Sequence, residues 1–98
     1  MDYIETTPET RGGKPRLAGT RITVADIVLM YRRMGRALEE IAGTYDLSLP
    51  AVYAAMAYYY EHQSEIDQSL DQEEAFAEAF RKNNPSLLRE KLKALSIG

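Results

Sequence analysis

The feature that most constrains this chain is a glycine- and cation-rich stretch, Gly12-Gly13-Lys14-Pro15-Arg16-Leu17-Ala18-Gly19-Thr20-Arg21-Ile22. Glycine supplies backbone freedom that other residues lack, and Pro15 fixes φ and cannot donate a hydrogen bond to a strand ladder. The short runs 15–17 and 20–22 flank Ala18-Gly19, which is typical of a two-residue hairpin turn. We therefore predict a small β-hairpin here, with polar side chains that are mostly cationic.

Three helices are predicted after this hairpin, from capping residues and from apolar spacing. Thr23 and Asp26 form a capping-box pattern before the first helix, and Gly35 ends that helix. Ser48 is the predicted cap of the third helix. The second and third helices have helix-turn-helix spacing, with buried positions predicted at Leu38, Ile41, Ala42, Tyr45, Leu47, Val52 and Ala55. Asp46 stands in the intervening turn, where glycine is often preferred.

The remainder of the chain is predicted to be a C-terminal helical extension. Residues 51–84 contain no Gly or Pro, so they form either one long helix or two helices joined near Ser69. We predict a mainly α fold with a short N-terminal β-hairpin, a further short strand over 3–7, and a helix-turn-helix-like, homeodomain-like three-helix core. The predicted division is a domain over 1–67 and the helical extension over 68–98.

Residues over 3–67 resemble one family, the domain of unknown function 433 family. The residues that carry the resemblance are Gly12-Gly13-Lys14-Pro15, Leu17-Ala18-Gly19-Thr20-Arg21-Ile22, Val24, Ile27, Glu39-Glu40-Ile41, Tyr45, Leu47-Ser48, Val52, Ala55, Tyr58-Tyr59, His62 and Glu65-Ile66-Asp67. The resemblance implies a helix-turn-helix-like protein. Members of the family often lie beside toxin-like proteins of the PIN class, which implies an antitoxin role. Nothing is carried over to residues 68–98.

Composition and charge restrict the function classes. The chain has no cysteine, and its net charge is −3. Residues 1–36 hold seven Lys or Arg against four acids, residues 37–78 hold ten acids and no Lys or Arg, and residues 79–98 hold five Lys or Arg against one acid. No apolar run approaches a membrane-spanning length, and acids occupy the N-terminus where a signal peptide needs cations. We predict a cytoplasmic protein that does not contact a membrane.

Cations near the N-terminus are the predicted DNA-binding residues. The third predicted helix has no cation over 49–60, so it lacks the side chains that contact bases and phosphates. DNA is therefore predicted as a ligand only of the hairpin and the end of the first helix, through Lys14, Arg16, Arg21, Arg32, Arg33 and Arg36.

Two apolar surfaces are predicted to bind protein partners. The third helix carries one stripe at Val52, Ala55, Met56 and Tyr59 and a second at Tyr53, Ala57 and Tyr60. The second stripe predicts a homodimer interface, unless the C-terminal segment covers it. A toxin protein is the partner predicted for the amphipathic C-terminal extension, with anchors at Phe76, Phe80, Leu88, Leu92 and Leu95. The open alternative is that the extension docks on the domain itself or on the second subunit.

Enzymatic activity is not predicted. His62 is the only histidine, and with no cysteine the chain is poorly suited to a zinc site. We predict no catalytic residue, no metal and no cofactor. The residues and the resemblance together predict an antitoxin-like regulator of a toxin–antitoxin pair, which binds a PIN-type toxin and operator DNA. Two alternatives stay open: a DNA-binding transcriptional regulator without a toxin, and a dimeric interaction module with no nucleic-acid role.

Overall fold

A computed structural model describes residues 2–83. The chain divides into two units between Ile66 and Asp67. Over the described residues the fold is mainly helical, with a short N-terminal antiparallel pair of strands, as predicted. Its elements are β1 (Ile4–Glu5), a 3-10 turn (Arg11–Gly13), β2 (Arg16–Leu17), α1 (Val24–Val28) followed by a π-helical turn (Leu29–Arg33), α2 (Leu38–Thr44), α3 (Leu49–Glu61) and α4 (Gln63–Asn83).

The N-terminal sheet pairs β1 with β2, so that Ile4 lies opposite Leu17 and Glu5 lies opposite Arg16. The predicted turn is present after β2, where Gly19 has φ +76° and the Thr20 N–H donates to the Leu17 carbonyl at 3.1 Å. Glycine adopts this left-handed backbone without a Cβ penalty.

The returning arm of this turn differs from the prediction. Leu17 pairs with Ile22, to whose carbonyl its N–H donates at 2.8 Å, and a single bridge joins Arg16 to Thr23. The loop therefore spans 18–21 rather than two residues. The cause is the Thr20 hydroxyl, which donates to the Leu17 carbonyl at 2.8 Å and accepts from the Ile22 N–H at 3.1 Å, and so keeps residue 20 in the turn.

The first helix begins and ends where the sequence predicts. The Thr23 hydroxyl accepts from the Asp26 N–H at 3.0 Å, and the Asp26 carboxylate accepts from the Thr23 N–H at 3.0 Å, which is a complete capping box. The last turn is widened, since the Met34 N–H donates to the Leu29 carbonyl five residues back at 3.0 Å. Gly35, with φ +71°, then turns the chain out of the helix.

The helix-turn-helix-like core consists of α1, α2 and α3, with α1 and α2 both packed against α3. Ser48 caps α3 by accepting from the Ala51 N–H at 3.2 Å. Asp46, in the turn between α2 and α3, has φ +53°, which explains why glycine suits this position. The buried apolar residues of the three helices, the π-helical turn and β2 are Leu17, Val24, Ile27, Val28, Met30, Leu38, Ile41, Ala42, Val52, Ala55, Met56 and Tyr59. Two predicted core positions differ, since Tyr45 is 43% exposed and Leu47 is half-buried.

Residues 51–83 form two helices, and the break lies at His62 rather than near Ser69. His62 leaves the helical conformation with φ −126° and ψ 32°, and its N–H donates to the carbonyls of both Tyr58 and Tyr59. Its ring stacks on Tyr58 with 4.3 Å between centroids. Ser69 therefore lies inside α4. None of the helices described over residues 2–83 combines the length and the apolar character that a membrane span needs.

Candidate interaction surfaces

The two apolar stripes of α3 are separated by burial as the spacing predicts. Val52, Ala55, Met56 and Tyr59 are buried in the core. The second stripe, at Tyr53, Ala57 and Tyr60, is exposed, and Tyr60 keeps 53% of its surface accessible. Tyr53, Ala57 and Tyr60 are defined here as the outward face of α3. An exposed aromatic face on so small a protein is typical of an interaction surface, and its assignment as a dimer interface stays a prediction.

Charged side chains of opposite sign flank this outward face. The Tyr53 hydroxyl donates to the Glu39 carboxylate at 3.2 Å, and this bond raises the pKa of Tyr53. At the other end of the face, an Arg32 guanidinium N–H donates to the Tyr60 hydroxyl at 3.4 Å. The same guanidinium lies 5.9 Å from the ring centroid of Tyr59. The sequence does not indicate either pair, because each joins residues on different helices.

Arg16 is the predicted DNA-binding cation that the structure places least accessibly. It is 8% exposed, and its guanidinium donates to the Glu5 carboxylate at 2.5 Å and to the Thr7 hydroxyl at 2.7 Å. Glu5 also accepts from the Gly19 N–H at 3.1 Å. This backbone bond first, and the Arg16 guanidinium second, lower the pKa of Glu5. Arg16 therefore joins β1, β2 and the following turn, which is a structural role.

The other predicted cations differ in their surroundings. Arg36 donates to Glu40 at 2.7 Å and to Thr44 at 3.0 Å, and the bond to Glu40 raises the pKa of Arg36. Lys14 is half-buried, whereas Arg21, Arg32 and Arg33 are exposed. DNA binding by this set stays a prediction, with the exposed side chains as its best-placed members.

Sequence reasoning missed Arg11, which lies against the start of α1. Its guanidinium donates to the Arg21 carbonyl at 2.9 Å and to the Asp26 carboxylate at 3.1 Å. Asp26 is thereby held by both Arg11 and the Thr23 N–H. Only the folded chain brings residue 11 to the cap, so no local signal could have identified the contact.

A shallow hollow of about 180 Å³ lies beside this cap, lined by Ile22, Asp26, Leu29, Met30 and Tyr45. Apart from Asp26 and Tyr45, its lining residues are apolar. Because Asp26 already accepts hydrogen bonds at the cap, the hollow offers little free polar chemistry. Among residues 2–83, no group of three acidic or histidine side chains is arranged to hold a metal ion.

The predicted partner-binding residues of α4 are exposed where they are described. Phe76 is 74% exposed, and Phe80 is also exposed. They lie four residues apart on a helix that carries Glu65, Asp67, Asp71, Glu73, Glu74 and Glu78. Leu88, Leu92 and Leu95 lie outside the described residues.

Comparisons with known proteins identify a family model and a solved structure that are similar to this chain. A family model described as a protein of unknown function (DUF433) matches residues 4–59. A crystal structure of a DUF433 member protein from Anabaena variabilis ATCC 29413 is 32% identical, with a TM-score of 0.66. The match covers 72% of this chain and 70% of that one. No curated protein matches significantly.

Proposed function

This chain belongs to the DUF433 family, and on that premise we propose that it is an antitoxin-like regulator that binds a toxin of the PIN class. In this proposal the chain acts as a homodimer and also binds operator DNA. The family description gives no function, so the proposal depends on the interaction surfaces and on the gene neighbourhood that the resemblance implies.

The exposed aromatic side chain of Phe76 is the observation that carries the proposal. Phe76 is 74% exposed and lies near Phe80, which is also exposed, so the two rings form an apolar patch on an acidic helix, and such patches are typical of interaction sites. An amphipathic helix binds a partner by placing such anchors, one helical turn apart, in an apolar groove. The acids along α4 fit a groove with a basic rim, so the expected toxin surface is apolar at its centre and cationic around it.

Replacing Phe76 by Ala is expected to weaken toxin binding about tenfold, since burying one such side chain is worth roughly 1.5 kcal/mol or more. The measurement is co-purification and titration with the product of the neighbouring gene. Met34→Ala is the matched control, because Met34 is an exposed apolar residue (60%) in the first unit. Equal toxin affinity of wild type and Phe76→Ala would contradict the assignment of α4 as the toxin-binding helix. No toxin binding by wild type would contradict the antitoxin role.

DNA binding is the second candidate function, and the exposed cations support it. Arg21, Arg32 and Arg33 are exposed, whereas the α3 segment 49–60 has no cation and α2 begins with the acids Glu39 and Glu40. Phosphates are therefore expected to contact Arg21 and Arg33 rather than the outward face of α3, which Arg32 flanks.

Binding to the upstream DNA is expected to weaken with salt, with a log–log slope of about −0.9 for each phosphate contacted. The Arg21→Ala and Arg33→Ala replacements together are expected to reduce the magnitude of that slope by about 2 for each chain bound, measured by fluorescence anisotropy at several salt concentrations. Gln63→Ala, at an exposed polar residue, is the control and should change little. DNA binding without toxin binding would favour the transcriptional regulator. The absence of both DNA binding and toxin binding would favour a dimeric interaction module with no nucleic-acid role.

A further inference from the structure

The outward face of α3 has the length and composition of a helix–helix contact. Tyr53, Ala57 and Tyr60 are spaced by four and three residues, so they lie on one side of the helix over roughly 10 Å. The small side chain of Ala57 stands between two exposed aromatic rings. A second helix can therefore approach closely at Ala57 while the rings pack on either side of the contact.

The charged side chains that hydrogen-bond to the two tyrosines of this face are opposite in sign, and the exposed Glu61 adds a negative charge beside Tyr60. At one end, the Glu39 carboxylate accepts from the Tyr53 hydroxyl at 3.2 Å. At the other end, the Arg32 guanidinium donates to the Tyr60 hydroxyl at 3.4 Å. In a parallel pair of α3 helices, each charge would meet its own copy, which is repulsive. In an antiparallel pair, Arg32 of one copy would meet Glu39 of the other, and the twofold axis would create this favourable contact twice.

We propose that two copies of this chain pair through the outward face of α3 in antiparallel orientation, with the twofold axis at Ala57. This inference rests on the homodimer of the proposed function and specifies its geometry. Tyr53 of one copy packs beside Tyr60 of the other on both sides of the axis. Arg32 of each copy faces Glu39 of the other, so the ion pairs at the rim select the antiparallel orientation over the parallel one.

Charge reversal tests the orientation. Arg32→Glu or Glu39→Arg alone places like charges together at both ends and is expected to raise the dimer dissociation constant at least about tenfold. A mixture of the two variants restores opposite charges at both ends, so heterodimers of wild-type affinity are expected. Sedimentation of each variant, and of the mixture with one variant mass-tagged, measures these outcomes. Arg33→Glu and Glu9→Arg, both at exposed residues, are matched controls that should behave as wild type, separately and mixed.

Cross-linking provides a readout that does not depend on charge. The chain has no cysteine, so Ala57→Cys introduces a single thiol. At the twofold axis, two such thiols lie close enough to form an intermolecular disulfide on mild oxidation. Met34→Cys is the control and should stay monomeric on a denaturing gel. A folded state for each variant is confirmed by circular dichroism.

The outcomes separate this inference from the proposed function. A wild-type dimer with no rescue in the mixture and no Ala57→Cys cross-link would overturn the antiparallel interface and leave the homodimer standing. A wild-type monomer at micromolar concentration would overturn both the interface and the homodimer, while toxin binding through α4 would still be measured independently by Phe76→Ala. Weaker dimers of each single variant, rescue in the mixture and the Ala57→Cys cross-link would together establish the arrangement, whereas single variants that dimerise as tightly as wild type would overturn the antiparallel orientation.

Discussion

Replacing Tyr59 by Ala is expected to lower the free energy of unfolding by about 3–5 kcal/mol, which is the usual cost of truncating a buried aromatic side chain. Tyr59 is 1% exposed and lies in the buried stripe of α3, against which both α1 and α2 pack. Removing the ring leaves a cavity in this core, which collapses only partly to fill it. For a domain of this size, such a loss is a large fraction of the total stability.

Tyr60→Ala is the matched control for this prediction, because Tyr60 is the next residue of the same helix and lies on its outward face. Its expected effect on the monomer is within about 0.5 kcal/mol. Urea unfolding followed by circular dichroism, at protein concentrations low enough to suppress dimers, measures both variants. Similar losses for the two tyrosines would show that the stripes of α3 are assigned to the wrong sides.

The second large effect is expected at Arg16, whose replacement by Ala should lower the free energy of unfolding by about 2–3 kcal/mol. The variant loses the hydrogen bonds of a charged group to Glu5 and Thr7. It also loses the packing of the buried side-chain stem. Because these contacts join β1 to β2, we expect the strand pairing to weaken with them. Thermal unfolding measures the loss as a lowered Tm.

Arg21→Ala is the matched control, since Arg21 is an exposed arginine just beyond the same turn. Its expected effect on stability is within about 0.5 kcal/mol.

Acid provides a further check, because the pKa of Glu5 is lowered from 4.5 in the folded state. Glu5 therefore contributes stability above pH 4.5 that is lost as pH falls through its folded pKa. The difference in free energy of unfolding between wild type and Arg16→Ala should therefore decrease as the pH falls over that range. Equal stability of the two proteins at neutral pH would contradict the structural role of Arg16.

Local signals in the sequence predicted a large part of the fold. Thr23, Gly35 and Ser48 identify helix boundaries because a cap or a left-handed C′ position depends on residues within one helical turn. The two stripes of α3 are predicted for a similar reason, since helical periodicity alone decides which residues share a face. The end of α3 was harder to predict, because nothing local to His62 breaks a helix as Gly or Pro would.

For the candidate interaction surfaces, periodicity predicts which side chains are exposed, while their partners stay predictions. Tyr53, Ala57, Tyr60 and Phe76 are exposed as expected of interaction surfaces. Arg16, a predicted DNA-binding residue, is buried against Glu5, and DNA binding by it stays a prediction. A cation in a short strand gives no sign of its partner until the neighbouring strand and its register are known.

By itself, the sequence determined the family, the helix-turn-helix-like order of elements and the faces of α3, because these depend on short-range spacing and capping chemistry. Only the tertiary structure decided that β1 and β2 bury Arg16, that Arg11 holds the cap of α1, and that Glu39 and Arg32 flank the outward face of α3 with opposite charges. These contacts join residues ten or more positions apart. Their geometry depends on how the elements pack, and packing is a property of the whole core rather than of any segment.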